Sequence, residues 1–514
     1  MRLACSFLLA VVAVPVGLAA DRPNVLLIAV DDLKPLLGCY GVQGVESPHI
    51  DALAERGTVF LNAHCQQALC GPSRASLLTG LRPDTTRIWD LKTQLRGHLP
   101  DIVTLPQHFK NNGYESVGMG KVFDPRSIDG RNTMDRVSWS RPYAQATSAA
   151  HSTFGYLDQE TVRLIEAGRT RLAADKIEGW REIQAAIGHR PPTDSADVPD
   201  DAYDDGALAA AGVRHIKELA GGDKPFFLAV GFRKPHLPFC APKRYWRLYE
   251  RNALDIPSIG RLPDGAPGFH FQDSQELRDG YTGIPAGPLP ADLRRQLIHG
   301  YHACVSFVDA QVGRLVDALA EAGVADSTVV VLWGDHGWHL GDHGMWCKHT
   351  NYEQATRVPL IIRAPGQKRA GGRASAPVEF IDVFPTLCDL AHLRAPPGLE
   401  GRSLATALDD PTVTTKPVAV SQYPRQLPAG EAMGYAFRTE RYRFIQWLPF
   451  NPQAPDSSGD QQPLAIELYD YDRDPAESRN LADDPGYGTV VAEMARLADD
   501  YWSARPGSGR QPRR

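Results

Sequence analysis

Four continuous apolar runs along the chain predict strands that are buried on both faces of a sheet. They occupy residues 25–30, 116–119, 226–230 and 328–333. Between them lie stretches with apolar residues at helical spacing, such as Val305, Val308, Val312 and Leu315, which Gly323 ends. Strands that alternate with helices in this way predict a largely parallel α/β sheet.

Polar residues suited to catalysis or metal binding follow each of these runs. They are Asp31 and Asp32, Lys121, His236, and Asp335 with His336. In parallel α/β sheets ligands bind beyond the carboxyl ends of the strands, so these side chains are expected to meet there. A single carboxylate after a strand is more often a turn former or a helix cap. Adjacent aspartates repel, however, unless a cation lies between them, and three carboxylates suit Ca²⁺ or Mg²⁺; His336 leaves the identity of the metal open.

The most specific string in the chain is CGPSRASLLTG at residues 70–80. Pro72 suits the first turn of a helix, which places Cys70 at the helix N-terminus, where free amides and the helix dipole favour an anion. Arg74, one turn further, adds a permanent positive charge. Taken by itself, Cys70 is interpreted either as a small buried apolar residue or as an activated thiolate.

This string resembles the signature of type I sulfatases, Cys-x-Pro-Ser-Arg-x-x-x-Leu-Thr-Gly, in which an activating enzyme oxidises the cysteine to formylglycine. The other positions of the family also appear in order: Asp31, Asp32, Lys121, His236, Asp335, His336 and Lys348. Strings such as KPHLPF at residues 234–239 and SQYPR at 421–425 are similar to the iduronate-2-sulfatase subfamily. The resemblance runs from about residue 24 to residue 475.

The resemblance implies an alkaline-phosphatase/sulfatase-like α/β fold, in which helices flank a large mixed sheet and a smaller C-terminal subdomain holds an antiparallel sheet. It implies a divalent metal, Ca²⁺ with Mg²⁺ as the alternative, held by Asp31, Asp32, Cys70, Asp335 and His336. It also implies covalent catalysis: hydrated formylglycine at position 70 attacks sulfur, the sugar alcohol leaves, and a second hydroxyl then expels sulfate. Arg74 would position the nucleophile. Lys121, Lys348 and His236 would surround the sulfate oxygens, and His236 would protonate the leaving oxygen.

One position departs from the subfamily. The string GKVF at residues 120–123 is followed by His in the subfamily, whereas this chain has Asp124. Asp124 either accepts a proton from the nucleophile or points away and leaves His64 or another histidine to substitute. A fourth negative charge beside the metal residues is also the one sequence feature that favours a weakly catalytic protein that binds sulfated glycans.

The leading interpretation is an exported sulfatase that acts on sulfated carbohydrates, such as the 2-O-sulfate of uronic acids in polysaccharide fragments. An alternative on the same fold is a phosphate or phosphonate ester hydrolase, although a Ser or Thr nucleophile would fit that activity better than Cys70. The implied partners are a sulfated carbohydrate substrate and the formylglycine-generating enzyme.

The ends of the chain complete the predicted organisation. Residues 1–20 are interpreted as a cleaved secretory signal, 21–412 as the catalytic domain, 413–506 as the C-terminal subdomain and 507–514 as a disordered tail. No Asn heads a glycosylation sequon, which favours a bacterial periplasmic or secreted protein. The Pro/Gly-rich stretch 257–290 is long for a structureless loop and is expected to line the substrate site.

Composition excludes several classes of protein. With 514 residues, 43% hydrophobic and 23% charged, the chain has the composition of an ordinary folded protein. Its formal net charge of −6 argues against a nucleic-acid partner, and no apolar run after the signal is long enough for stable membrane insertion. Of the 8 cysteines, Cys5 lies in the predicted signal; the others form no CxxC, so neither a zinc site nor a dense disulfide framework is expected.

Overall fold

The computed structural model describes residues 22–129, 133–150, 155–175, 187–455 and 461–505. The predicted signal at residues 1–20 and the predicted tail at 507–514 lie outside the described residues. Within the described ranges, no helix combines the length and the apolar character that crossing a membrane requires.

A mixed sheet of seven strands forms the centre of the fold. Its strands are, in spatial order, Gly372–Ala374, Thr58–Phe60, Leu360–Arg363, Thr328–Gly334, Asn24–Val30, Phe226–Phe232 and Glu115–Gly120. The last four are the strands predicted from the sequence; they lie side by side and run parallel. Leu360–Arg363 runs antiparallel to both of its neighbours. The predicted α/β fold with a large mixed sheet is therefore confirmed.

Alternate residues of the central strand Asn24–Val30 pack into two separate cores. Leu26 and Ile28 pack on one face of the sheet, and Leu27 and Ala29 pack on the other. Helices Pro48–Glu55, Asp204–Ala220 and Ala291–Glu321 cover the first face, and Cys70–Thr79, Leu105–Asn111 and Val383–Leu390 cover the second. A strand between two helical layers has no side that faces solvent, which explains its continuous apolar sequence.

Shorter and more peripheral elements connect these layers. The helices are Pro83–Thr86, Leu95–His98, Gln159–Asp175, Lys243–Trp246, Gln275–Arg278, Glu353–Thr356 and Ala405–Asp409. Three pairs of two-residue strands also form: Ala63–His64 with Val378–Glu379, Thr193–Asp194 with Phe239–Cys240, and His339–Leu340 with Trp346–Cys347. The seven cysteines of the described residues are all free thiols, in agreement with the absence of a predicted disulfide framework.

A second, antiparallel sheet follows toward the C-terminus. Its strands are, in order, Ala419–Leu427, Gly430–Arg438, Tyr442–Pro449 and Ala465–Asp470. The helix Gly488–Ser503 shares an apolar core with this sheet, to which it contributes Met494, Ala498 and Trp502. These elements confirm the smaller C-terminal antiparallel sheet, while the boundary at residue 412 stays a prediction.

Buried ion pairs fasten the C-terminal sheet to the rest of the protein. Glu353, which begins the helix Glu353–Thr356, lies 3.2 Å from Arg438 Nε and also pairs with Arg443. Burial raises the pKa of Glu353, but Arg438 and Arg443 outweigh it and hold that pKa well below its usual range. Glu353 is therefore charged and balances two buried guanidinium groups.

We expect Glu353→Ala to lower the free energy of unfolding by about 3 to 5 kcal/mol, because both guanidinium groups lose this counter-charge while they stay buried. Urea denaturation measures the change. The control is Glu166→Ala: Glu166 pairs with Arg169 on an exposed helix surface, where an ion pair contributes at most about 1 kcal/mol. Equal losses in the two variants would contradict the prediction.

Candidate active site

The register of the central strands brings the predicted site residues to one edge of the sheet. Val30 is level with both Phe232 and Gly334, and Gly120 is level with Gly231. The ladder continues one residue further, since the Asp335 amide donates to Val30 O at 3.2 Å. The side chains that directly follow these strands therefore lie together at this edge of the sheet.

Cys70 lies at this edge, as the first residue of the helix Cys70–Thr79. Its Sγ is 3.3 Å from His336 Nε2 and 3.8 Å from Lys348 Nζ, and the residue is only 1% exposed. Burial raises the pKa of the Cys70 thiol well above its usual value, although Lys121 and Lys348 act to lower it. The position at the helix N-terminus is as predicted, whereas burial of the Cys70 thiol disfavours the thiolate form.

Four buried side chains, including that of Cys70, form a set that can hold a metal ion. Donor atoms of Asp32, Cys70, Asp335 and His336 all lie within 4.8 Å of one another. Asp32 adopts a left-handed conformation with φ of 60°, and its amide donates to Asp335 Oδ1 at 2.9 Å. Burial raises the pKa of Asp32. Two carboxylates held this close without solvent are the arrangement that a bound cation would stabilise.

Asp31 has different partners from Asp32. Its Oδ1 accepts a hydrogen bond from Arg74 Nη2 at 2.8 Å, and its Oδ2 accepts one from Lys121 Nζ at 2.6 Å. Burial raises the pKa of Asp31, but Lys121 and Arg74 outweigh it and hold that pKa well below its usual range. Asp31 also forms a second potential metal group, with Asp32 and His236.

Arg74 braces the carboxylates of the site. It is fully buried, and its Nε donates to Asp335 Oδ2 at 2.9 Å while Nη2 donates to Asp31. Its Nη1 donates to the carbonyl oxygens of Lys121 and Val122. The described contacts thus make Arg74 a support for Asp31 and Asp335, whereas its sequence-based role was to position the nucleophile.

Glu276 is a residue of the site that the sequence analysis missed. Its Oε1 lies 3.2 Å from His236 Nε2 and 3.3 Å from Lys348 Nζ, so it connects two predicted catalytic residues. Burial raises the pKa of Glu276, but Lys348 and His236 outweigh it and hold that pKa well below its usual range. Lys348 Nζ also donates to both oxygens of Asp32, at 3.0 and 3.2 Å. Glu276 lies in the stretch 257–290 predicted to line the substrate site, but no motif marks it.

We expect Glu276→Gln to lower kcat by about tenfold to a hundredfold, with a smaller change in KM. The neutral amide removes the charge that orients His236 and Lys348, while it keeps nearly the same shape. Steady-state hydrolysis of p-nitrophenyl sulfate measures both constants. Glu276→Asp is expected to recover part of the loss, and the exposed Glu55→Gln serves as control; full activity of Glu276→Gln would contradict the prediction.

The negative charge of Asp124 is balanced by its neighbour Arg126. Asp124 Oδ1 accepts from Arg126 Nε at 2.9 Å and Oδ2 accepts from Nη2 at 2.8 Å, and Asp124 itself is buried. Burial raises the pKa of Asp124, but Arg126 and Lys121 lower it to about 2. The other candidate, His64, has its Nε2 2.7 Å from Asn62 Oδ1. Among the described hydrogen bonds, neither Asp124 nor His64 contacts Cys70.

A cleft of about 580 Å³ opens beside these residues. Asp31, Lys121, His236, Arg126 and Arg233 are among the residues that line it. His236 is partly exposed there, with 27% of its side chain accessible. By contrast, Cys70 and the three side chains grouped with it, those of Asp32, Asp335 and His336, are buried. The cleft therefore provides access for a substrate to the side of the site that carries His236 and Lys121.

Comparison with known proteins agrees with this arrangement. The sulfatase family profile matches residues 23–393, and the profile described as N-sulphoglucosamine sulphohydrolase, C-terminal, matches residues 341–501. Human iduronate 2-sulfatase is 35% identical over 91% of this chain and 93% of that protein. A delta 4,5-hexuronate-2-O-sulfatase from Bacteroides thetaiotaomicron is 28% identical over 94% of this chain and 89% of that protein.

A solved structure extends the comparison to another activity. The phosphonate monoester hydrolase of Silicibacter pomeroyi superposes with a TM-score of 0.69, covering 93% of this chain and 95% of that chain. Its sequence identity of 24% shows a shared fold alone. The family profile, by contrast, spans most of the chain and includes every predicted catalytic residue. The chain therefore belongs to the sulfatase family of sulfuric ester hydrolases.

Proposed function

We propose that this protein is an exported sulfatase that removes 2-O-sulfate groups from uronic acids, or similar esters, in sulfated polysaccharide fragments. The proposed reaction uses formylglycine derived from Cys70 and a bound divalent cation, Ca²⁺ with Mg²⁺ as the alternative. The observation that carries the proposal is the buried set of Asp32, Cys70, Asp335 and His336, within 4.8 Å of one another. The names of the two relatives, both sulfatases of 2-sulfated uronates, support the substrate class.

The donor atoms of this set fit a hard cation only if the sulfur of Cys70 is replaced by oxygen. The carboxylates of Asp32 and Asp335 and the imidazole of His336 are suitable ligands, but sulfur is a poor ligand for Ca²⁺ or Mg²⁺. Conversion of Cys70 to formylglycine replaces sulfur with oxygen and makes the set consistent. Asp31, Asp32, residue 70, Asp335 and His336 would then hold the cation, which supplies Lewis-acid stabilisation of charge on the sulfate ester and the nucleophile.

The remaining polar side chains have roles that follow from their protonation. Burial lowers the pKa of Lys348, but Asp32 and Glu276 outweigh it and raise that pKa well above its usual value. The pKa of Lys121 is shifted in the same direction, mainly by Asp31. Both lysines therefore stay charged and can stabilise the oxygens of a sulfate group during transfer.

His236 is suited to protonate the leaving oxygen. Its Nδ1 lies 2.6 Å from Leu237 O, and a carbonyl only accepts, so Nδ1 carries a hydrogen. Its Nε2 faces carboxylate oxygens of Asp32 and Glu276 at 3.8 and 3.2 Å. Nε2 is therefore the atom that would deliver a proton to the leaving oxygen, and the residue is accessible from the cleft.

The alternative functions have weaker support. A likeness of 24% identity to a phosphonate monoester hydrolase concerns the fold, so it does not favour that substrate over sulfate. The interpretation as a weakly catalytic binding protein rested on an added negative charge at Asp124. Because Arg126 balances that charge, Asp124 gives this interpretation little support.

The modification is tested by mass spectrometry of the tryptic peptide of residues 57–74 from protein made in its native host. This peptide contains Cys65 as well as Cys70. We expect position 70 to carry an aldehyde and Cys65 to remain a thiol that alkylating reagents modify. Two unmodified cysteines in every molecule would contradict the formylglycine mechanism. N-terminal sequencing of the same sample tests export, which predicts a mature chain that begins near residue 21.

The substrate is tested with a panel of esters under the same conditions. We expect a disaccharide with a 2-O-sulfated uronate to have a higher kcat/KM than a 6-O-sulfated glucosamine, a phosphate monoester or a phosphonate monoester. A preference for the phosphorus esters would favour the alternative hydrolase. Binding of sulfated glycans without turnover of any ester by formylglycine-bearing protein would favour the binding protein.

A further inference from the structure

We propose that Arg126 and Arg233 form a second anion subsite in the cleft beside the reactive centre. This subsite would bind another anionic group of the same sugar chain, either the carboxylate of the uronate or a neighbouring sulfate. The proposal rests on the proposed function, because it assigns a polyanionic carbohydrate to the same site.

The position of the subsite follows from the shared cleft. Arg126 and Arg233 line the same cavity as Lys121 and His236, which face the reacting group. Arg233 directly follows the strand Phe226–Phe232 and is three residues before His236. A ligand that presents a sulfate ester to His236 would therefore lie in the cleft that both arginines line.

Arg233 has an exposed guanidinium group without a described counter-ion. Its backbone amide donates to Asp205 Oδ1 at 3.0 Å and to Oδ2 at 3.1 Å, and the Lys234 amide donates to Oδ2 at 2.7 Å. Asp205 is thus occupied with backbone amides. Within the part of the chain that the structure describes, no side-chain hydrogen bond or ion pair involves the Arg233 guanidinium, which remains available for a ligand.

Arg126 is held in place by Asp124. The two hydrogen bonds to Asp124 fix one edge of the guanidinium, while 48% of the Arg126 side chain remains exposed to the cleft. Asp124 is buried beneath it. An arginine anchored in this way loses less conformational entropy when it binds an oxyanion, so its remaining donors are preorganised. This explains why the chain has an Asp-Pro-Arg string directly after Lys121-Val122-Phe123.

The charges of the cleft favour an anionic ligand, although the whole chain is negative. The formal net charge of the protein is −6. The cleft is lined by the cations Lys121, Arg126, Arg190, Arg233 and Lys234, against the anions Asp31, Asp204 and Asp205 and against Asp124, which is buried beneath Arg126. Asp31 already pairs with Arg74 and Lys121. A cleft with excess positive charge and low-dielectric walls concentrates anions near the reacting group.

The test measures binding by calorimetry, with full-length protein from a host that lacks the activating enzyme, so that turnover does not interfere. The probe is a disaccharide with a 2-O-sulfated uronate and one further sulfate on the neighbouring sugar. Its carboxylate methyl ester and its analogue without the further sulfate are the comparison ligands. We expect Arg233→Gln to raise the Kd of the probe by about tenfold to a hundredfold.

The comparison ligands identify the group that the subsite binds. If the effect of Arg233→Gln disappears with the methyl ester, the subsite holds the carboxylate; if it disappears without the further sulfate, the subsite holds that sulfate. Arg126→Lys keeps the charge but loses the fork geometry of the guanidinium group. We expect the increase in Kd that it causes to be several-fold smaller than the increase caused by Arg233→Gln. Arg369→Gln, an exposed arginine that pairs with Asp410, is the charge-matched control.

Two results would overturn the subsite: an equal effect of Arg233→Gln and Arg369→Gln on the probe, or no binding of the probe to the unmutated protein. Failure of the proposed function has a different signature. If mature enzyme does not hydrolyse the probe but the protein still binds it in an Arg233-dependent manner, the subsite is supported and the assigned substrate is wrong.

Discussion

Cys70→Ala is expected to lower kcat for sulfate-ester hydrolysis by a factor on the order of 10⁴ or more. Cys70 is the one residue of the buried set that can become the nucleophile, and alanine leaves no atom to modify. Lys121, Lys348 and His236 remain in place, so binding of the substrate should change much less than kcat. Steady-state kinetics with p-nitrophenyl sulfate and with a sulfated disaccharide measures both effects.

The control for this variant is Cys65→Ala. Cys65 is also buried and lies five residues earlier, but its Sγ is directed to Ala355 O at 3.9 Å rather than to the metal-binding set. We expect Cys65→Ala to lower stability through the small cavity it creates and to retain activity. If Cys70→Ala kept more than a small fraction of the activity, the proposed covalent mechanism would be wrong.

The location of the site was predictable because strand order and chemistry are visible together in the sequence. The apolar runs end close to charged residues, and parallel neighbouring strands place those residues at one edge of the sheet. The observed register, which makes Val30 level with Phe232 and Gly334, brings Asp31 and Asp335 together in this way. The cysteine string then identified which helix faces that edge.

The partners of individual carboxylates could not be predicted. Asp31 and Asp32 are adjacent in sequence, yet one pairs with Arg74 and Lys121 and the other lies with Cys70 and His336. Asp32 adopts a left-handed conformation, and the two carboxylates have different partners although they lie within 4.8 Å of each other. No local sequence pattern predicts that conformation in a residue other than glycine. Backbone conformation in the tertiary structure decides these contacts.

Glu276 and the Asp124–Arg126 pair show two further limits. Glu276 reaches His236 across 40 residues of irregular, Pro/Gly-rich sequence, so neither periodicity nor spacing relates the two. The Asp124–Arg126 pair was within reach, because an acid and a base two positions apart around Pro125 often form a local ion pair. The subfamily has a histidine at the position of Asp124, which suggested a catalytic role for Asp124 rather than an ion pair with Arg126.

Asp335→Asn is expected to remove most of the activity, by a factor on the order of 10² to 10³, through loss of the metal. Asp335 is fully buried and accepts three hydrogen bonds: Oδ2 accepts from Arg74 Nε at 2.9 Å, and Oδ1 accepts from the amides of Asp32 and His336. Its Oδ2 also lies 3.6 Å from His336 Nε2. An amide has one oxygen and no charge, and its NH₂ group would face Arg74.

A measurement independent of activity separates metal loss from other damage. We expect Ca²⁺ at a hundredfold excess over its Kd to stabilise the unmutated protein against thermal unfolding by about 2.7 kcal/mol, and a chelator to reverse this. Asp335→Asn should abolish that stabilisation, because the ion is lost with its ligand. The control is Asp309→Asn, which changes a buried carboxylate outside the proposed metal set: Asp309 accepts from the Ile50 amide at 2.7 Å and from the His49 amide at 3.3 Å, so this variant should lose stability but keep the stabilisation by Ca²⁺. Retention of Ca²⁺ stabilisation by Asp335→Asn would show that the carboxylate does not bind the ion, and the proposed metal set would then have to be rebuilt around Asp31, Asp32 and His236.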